Sequence, residues 1–255
     1  QHGIHALLAD ELAGELVDTK AVFLPQQQAL AQAKQVITIG GDGTLLRIAH
    51  DCLAQSKPVL GVNLGRIGFL ATCEVAELPE KLARLAAGRY TIEPRNLLRA
   101  DAPAHNWHQV AMNDVVLFGN SRLHPMDYTV YCDGAFVSRY RSDGVIIATP
   151  TGSTAYSLSA GGPVVEPTAS LIVITPICSH ALNTSSVVLS AEDDVEVEIC
   201  EGRYGRQEKV ALCYDGAVQR QLVSGDRVKI RKSDAKAHLV KLSEESFMIT
   251  MREKM

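Results

Sequence analysis

The chain has 255 residues, 46% of them hydrophobic and 5% aromatic, with a formal net charge of −4. That is enough apolar material for one large core or two modest ones, while the acidic balance and the scarcity of rings exclude a phosphate-neutralising stripe or a base-stacking platform, so nucleic acid is not an expected partner. No apolar stretch approaches the ~20 residues of a membrane span, nothing at the start reads as a secretory leader, and Cys52, Cys73, Cys132, Cys178, Cys200 and Cys213 show no C-x-x-C spacing, so a reduced, cytoplasmic protein without a zinc site is expected.

In chain order, the opening on Gln1 rather than Met leads us to expect that a native N-terminal segment is missing. Val36 to Ile39 reads as a short buried strand, and Leu45, Ile48, Ala49, Cys52 and Leu53 recur at helical spacing until Pro58 breaks the pattern. Val59 to Val62 is a second strand, and Leu78 to Ala87 a second amphipathic helix closed by Gly88. This βαβα order is that of a mostly parallel sheet covered by helices.

Past about Tyr90, strand patterns follow one another with almost no helix between them. Strands are expected at Ala111 to Phe118, Val145 to Thr149, Leu171 to Thr175, Val195 to Cys200, Lys209 to Tyr214 and Arg227 to Arg231. In YTVYCDGAFVSRY, Asp133-Gly134 between alternating runs predicts a two-residue hairpin turn. This change of pattern, near Tyr90 to Leu98, separates an expected α/β domain from an expected β-rich domain. The tail HLVKLSEESFMITMREKM shows no assignable pattern.

Three loops carry the chemistry. In Gly40-Gly41-Asp42-Gly43-Thr44, glycines end the first strand and a helix follows, the place where open α/β sheets hold ligands and helix amides favour anions. Phosphate binding alone needs no acidic side chain there, so Asp42 either caps the helix or handles a proton. The loop NLGRIGFLA, from Asn63 to Ala71, reads by itself as an ordinary strand-to-helix connection with Phe69 and Leu70 in the core. In RSDGVIIATPTGSTAYSLSAGGPV, Thr149, Thr151, Ser153, Thr154, Ser157 and Ser159 surround Gly152, a supply of hydroxyls that either fills turns or, the reading favoured here, bonds to a sugar or phosphate. Asn113-Asp114 adds a planar amide suited to a ribose or a base edge. The histidines, among them His50, His105, His108 and His180, lack metal-ligand spacing, and Ser153 and Ser157 lack a nucleophile elbow.

Taken together and in order, GGDGT, NLGRIGFLA, NDVVL and SDGVIIATPTGSTAYSLSAGGPVV resemble the NAD kinase family, enzymes that phosphorylate the 2′-hydroxyl of the adenosine ribose of NAD with ATP or polyphosphate. The first motif is shared with diacylglycerol, sphingosine and 6-phosphofructokinase-type kinases; T-P-T-G-S-T-A-Y is the more specific. The resemblance implies an N-terminal Rossmann-like α/β domain over residues 1–95, a C-terminal β-sandwich-like domain over 96–231 and a C-terminal segment, about 232–255, returning to the first domain. Family members carry more chain ahead of GGDGT.

By position, the resemblance makes Asp42 the base that accepts the hydroxyl proton, with Gly41, Gly43, Thr44 and Arg47 bordering the substrate and Phe69 packing on the adenosine. It gives Asn113 and Asp114 the ribose hydroxyls, Arg141, Asp143 and His124 contacts with the dinucleotide, and Thr154, Ala155, Tyr156, Ser157, Leu158 and Ser159 the adenine pocket. Asp215 and Gly216 resemble a turn near the site. It further implies a divalent ion, Mg²⁺, no protein metal ligands, and a homodimer or homotetramer. The alternatives are a lipid or sugar kinase of the same superfamily, or a catalytically silent NAD-binding sensor.

Overall fold

The structure is a computed structural model that describes residues 3–16, 19–65, 68–120, 124–180, 185–242 and 247–254. The chain forms two compact units, one of Gln1–Pro94 with Lys236–Met255, the other of Arg95–Ala235.

In the first unit, β1 (Leu7–Ala9) and β2 (Val22–Leu24) pair in parallel ahead of α1 (Gln26–Gln32). The apolar run VITIG forms β3 (Val36–Gly40), and α2 (Asp42–Cys52) begins as soon as the glycines interrupt it. That helix buries Leu45, Ala49 and Cys52, one stripe at i, i+4 and i+7. Ser56, at φ 49, ends the turn that follows and hands the chain to Lys57 and Pro58. β4 (Val59–Asn63) lies parallel to β3 with Gly40 opposite Asn63, and β5 (Cys73–Glu74) lies parallel to β4. α3 (Leu78–Ala86) follows, and Gly88 at φ 69 supplies the left-handed conformation that ends it.

Side chains alternate across β4. Leu60 and Val62 enter a core with Cys73 and Leu85. Gly61 faces α2, where an added Cβ would lie 2.5 Å from Leu45 Cδ1 and 2.8 Å from Ala71 Cα, so only glycine admits this close packing. The chain's last part rejoins this unit: Leu239 pairs with Val59, and Val240 and Leu242 complete the same core.

The second unit follows through β6 (Thr91–Ala102), β7 (Trp107–Ala111), β8 (Asp114–Gly119), β9 (Met126–Cys132), β10 (Ala135–Ser142) and β11 (Gly144–Ala148). Short α4 (Tyr156–Ser159) precedes β12 (Leu171–Ile177), β13 (Val187–Ser190), β14 (Val195–Ile199), β15 (Lys209–Tyr214), β16 (Ala217–Val223) and β17 (Arg227–Lys241), and α5 (Phe247–Lys254) ends the described chain. One antiparallel sheet runs β13-β12-β11-β8-β15-β16, and β10, β9, β14 and β17 form a second antiparallel ladder. Val115, Leu117, Val145 and Ile147 from the first pack on Tyr128, Val130, Val195, Val197 and Ile230 from the second. This is a β-sandwich core. On the other face of the first sheet, Val116, Ile146 and Val173 lie under Ala160 and Val165 of the long loop after β11.

The expected α/β and β-rich architecture, with the tail returning to the first unit, is the one observed. Asp133 (φ 50) and Gly134 (φ 77) make the hairpin turn with both residues left-handed, as the Asp-Gly pair predicts. Three expectations change. The strand expected from Ala111 to Phe118 is two strands, β7 and β8, interrupted at Met112-Asn113 because the N–H groups there turn to a carboxylate. The strand expected at Arg227 to Arg231 continues to Lys241. The patternless tail holds the end of that strand and α5, with 243–246 outside the described residues. Among the described residues no helix is long and apolar enough to cross a membrane.

Candidate active site

In the first unit the site is built at the carboxyl ends of β3 and β4. Gly41 is the N-cap of α2 and has no side chain to offer its amides, while Asp42 is the first helical residue. The Asp42 carboxylate does not cap its own helix. Its Oδ2 accepts the N–H of Phe69 at 2.7 Å, and its Oδ1 accepts those of Leu70 at 3.1 Å and Ala71 at 2.9 Å. Gly68 makes the approach possible, since a Cβ there would lie 1.7 Å from Asp42 Oδ1. Phe69 and Leu70 are half-buried rather than sunk in the core, so this loop is the seat of Asp42 and not the plain connection its residues suggest.

The glycines of the motif divide by cause. At Gly40 a Cβ would meet Thr44 Oγ1 at 2.6 Å, so packing requires glycine. At Gly41 and Gly43 it would meet nothing within 4 Å, and neither residue has positive φ. The fold does not ask for glycine at either; keeping side chains away from Asp42 does. Arg47 is exposed on α2, and the Phe69 ring lies 6.3 Å from that of Phe247.

In the second unit a like arrangement surrounds Asn113 and Asp114. The Asp215 carboxylate accepts the N–H groups of Met112 at 2.7 Å, Asn113 at 2.7 Å and Asp114 at 3.1 Å. Asp215 (φ 45) and Gly216 (φ 80) form a left-handed turn, and the backbone N–H of Asp215 returns a bond to Asp114 O at 3.0 Å. From the other side Thr149 donates its hydroxyl to Met112 O at 2.6 Å and its N–H to Asn113 O at 2.9 Å. Gly152 presses so near that a Cβ would lie 2.0 Å from Asn113 O. Asp114 is only 4% exposed; burial, and then the charge of Asp215, push its carboxyl up to about 7.

The hydroxyls of the long loop are spent internally, contrary to the reading favoured from sequence. Thr149 also accepts the Gly152 N–H, Thr151 accepts from Arg95, Ser153 bridges Pro150 and Val165, Thr154 donates to Thr151 O, and buried Ser157 pairs with Thr175. Only Ser159, exposed, makes no side-chain hydrogen bond to a described residue. Tyr156 is 42% exposed. Its phenol is raised by burial and then by the charges of Cys178, Asp114 and Asp143. Ala155 and Leu158 are half-buried beside it. Arg141 Nη1 lies 3.9 Å from Asp127, half-buried Asp143 holds Gly119 through its carbonyl at 2.9 Å, and His124 is exposed next to residues outside those described.

Sequence reasoning passed over Asn63, Gly68 and the anchoring of Asn113-Asp114 by Asp215 and Thr149. Gly68, Asp215 and Thr149 act on segments far along the chain, and only folding brings them together. Among the described residues the one group of three potential metal ligands is Cys132, Asp133 and Asp193, at the β9–β10 turn.

Comparison with known proteins bears on both units. The model of the ATP-NAD kinase N-terminal domain matches residues 6–90, and that of the ATP-NAD kinase C-terminal domain matches residues 112–242. The chain belongs to the NAD kinase family. An NAD kinase of Lachnoclostridium phytofermentans is 41% identical over 223 residues, covering 86% of this chain and 78% of that protein. One of Moorella thermoacetica is 38% identical over 231 residues, covering 90% and 73%. Among solved structures, yeast NADH kinase complexed with NADH superposes with a TM-score of 0.86 at 28% identity, over 98% of this chain and 78% of that one. An NAD kinase from Archaeoglobus fulgidus in complex with ATP gives 0.76 at 26% identity, over 96% and 92%.

Proposed function

We propose that this NAD kinase family member transfers the terminal phosphoryl group of ATP to the 2′-hydroxyl of the adenosine ribose of NAD, with Asp42 as general base. The observation that carries the reading is the seat of Asp42: a carboxylate withheld from capping its own helix and flanked by glycines that packing does not require. A carboxylate has about four lone-pair positions. Three accept N–H groups, which fix its orientation and leave one to take a hydroxyl proton. General-base assistance of this kind contributes roughly 10² to 10⁴ in rate, and positioning and charge neutralisation supply most of the rest.

The divalent ion enters as part of the donor, Mg·ATP, held through the phosphates as Mg²⁺ commonly is. The amides at the start of α2 face anionic phosphate favourably. Asn113 and Asp114 hold ribose hydroxyls; with its carboxyl near 7, Asp114 both accepts and donates hydrogen bonds at neutral pH. Tyr156 offers an exposed ring for the adenine, and the inward hydroxyls around it keep that loop in shape. Arg141, Asp143 and His124 approach the dinucleotide, and the working form is a cytoplasmic homodimer or homotetramer.

Purified protein supplied with Mg·ATP, or with polyphosphate, and either NAD or NADH is expected to form NADP or NADPH, read through an NADP-specific dehydrogenase. Diacylglycerol and fructose 6-phosphate serve as control acceptors. Phosphorylation of a control acceptor without NADP would overturn the reading.

A further inference from the structure

Asn63 ends β4 and is 5% exposed, yet its Nδ2 is buried with no hydrogen-bond partner. Leaving a buried donor unpaired is costly to the fold, which points to a partner that arrives. Its Oδ1 accepts the Gly65 N–H at 3.0 Å, which fixes the amide plane and assigns the open edge to the NH₂.

The direction of that edge follows from strand alternation. Leu60 and Val62 face the α3 core, so Asn63 leaves β4 on the same face as Gly61, the α2 face. In register Asn63 stands opposite Gly40, the residue over which Thr44 Oγ1 lies, in the first turn of α2. The Thr44 hydroxyl likewise bonds to no described residue. The uncapped N-terminus of α2 with its Thr44 hydroxyl, and the buried NH₂ of Asn63 across the β3–β4 register, therefore belong to one end of the sheet, the end from which Asp42 starts its helix. An NH₂ group only donates, so its ligand is an acceptor: it is suited to a phosphate oxygen and useless to a metal ion.

We infer that Asn63 is a binding residue for the phosphoryl donor, its Nδ2 donating to a phosphate oxygen at the head of α2 with Thr44 as second donor. This deepens the kinase reading above and rests on it for the identity of the ligand. Backbone amides, Asn63 and Thr44 then hold the phosphate chain, while Asp42 stays reserved for the proton.

The test is Asn63→Asp, which keeps the Oδ1 acceptor for Gly65 and replaces the donor by an acceptor, with Thr44→Val as a second variant. Calorimetric titration with ATP, with inorganic tripolyphosphate and with NAD separates the possibilities. Asn63→Asp is expected to weaken ATP and tripolyphosphate at least tenfold while leaving the NAD dissociation constant within about twofold, and Thr44→Val to weaken the same two ligands less. ATP affinity unchanged in Asn63→Asp, NAD and ATP weakened alike, or no tripolyphosphate binding by the unaltered protein would each overturn the inference. If Asn63→Asp does not fold, Thr44→Val decides by the same criterion. Failure of the kinase reading shows separately, as absence of NADP formation by the unaltered protein that nevertheless binds tripolyphosphate.

Discussion

Asp42 in the first unit and Asp215 in the second each accept three consecutive backbone N–H groups from a distant segment, residues 69–71 in one case and 112–114 in the other. On either side of Asp42, Gly41 and Gly43 border empty space. Beside Asp215 stands Asp114, buried and held toward its neutral form. On the proposed reading, the same hydrogen-bonding device presents one carboxylate for chemistry and uses the other as a clamp beside a third that is buried. What surrounds a held carboxylate, more than how it is held, separates a base from a strut.

Disturbing the two seats sharpens the contrast. Gly68→Ala sets a methyl group 1.7 Å from Asp42 Oδ1, so the loop and the carboxylate must part. Misplacing a catalytic group by about 1 Å costs on the order of 10² in rate, and kcat is expected to fall by that much with the fold retained by circular dichroism. In Asp215→Asn the amide opposes a donor to a donor at one of the three N–H groups and removes the charge from the rest. Denaturant unfolding should show a loss of about 3 kcal/mol, and a change below about 0.5 kcal/mol would mean that Asp215 is no clamp.

Asp114→Asn has a smaller effect with a distinctive sign. The folded carboxyl, near 7, lies above its unfolded value of 3.8, so its contribution to stability is present below pH 3.8 and is lost as pH rises through 7. Asparagine does not ionise. The melting temperature of the variant should therefore gain on the wild type from pH 5 to pH 8, at the cost of weaker NAD binding. A gap that does not change with pH would contradict the burial of a charged Asp114.

Most of this architecture was legible from local pattern. β4, β11 and β12 are short apolar runs buried on both faces, and Asp133-Gly134 announces its own hairpin; β3 forms where its apolar run predicts a strand, but Ile37 and Ile39 are exposed and only Thr38 is buried, so the burial expected of it is not seen. Among the elements that escaped, β6, β16 and the extension of β17 are mixed in polarity, whereas β1, β2 and β13 are apolar but only three or four residues long, too short for a period to show. The break at Met112-Asn113 had no local signal, its cause lying about a hundred residues away at Asp215. Likewise GGDGT marked Asp42 as a candidate, but the three amides that seat it come from residues 69–71, and the inward turn of Ser153 and Ser157 depends on Val165 and Thr175.

The central claim is that Asp42 is presented for proton transfer. The most direct measurement is kcat for NADP formation by Asp42→Asn beside its dissociation constant for NAD. We expect kcat to fall by at least about 10²-fold with NAD binding little changed; turnover near the wild-type rate would contradict the assignment of Asp42 as the base.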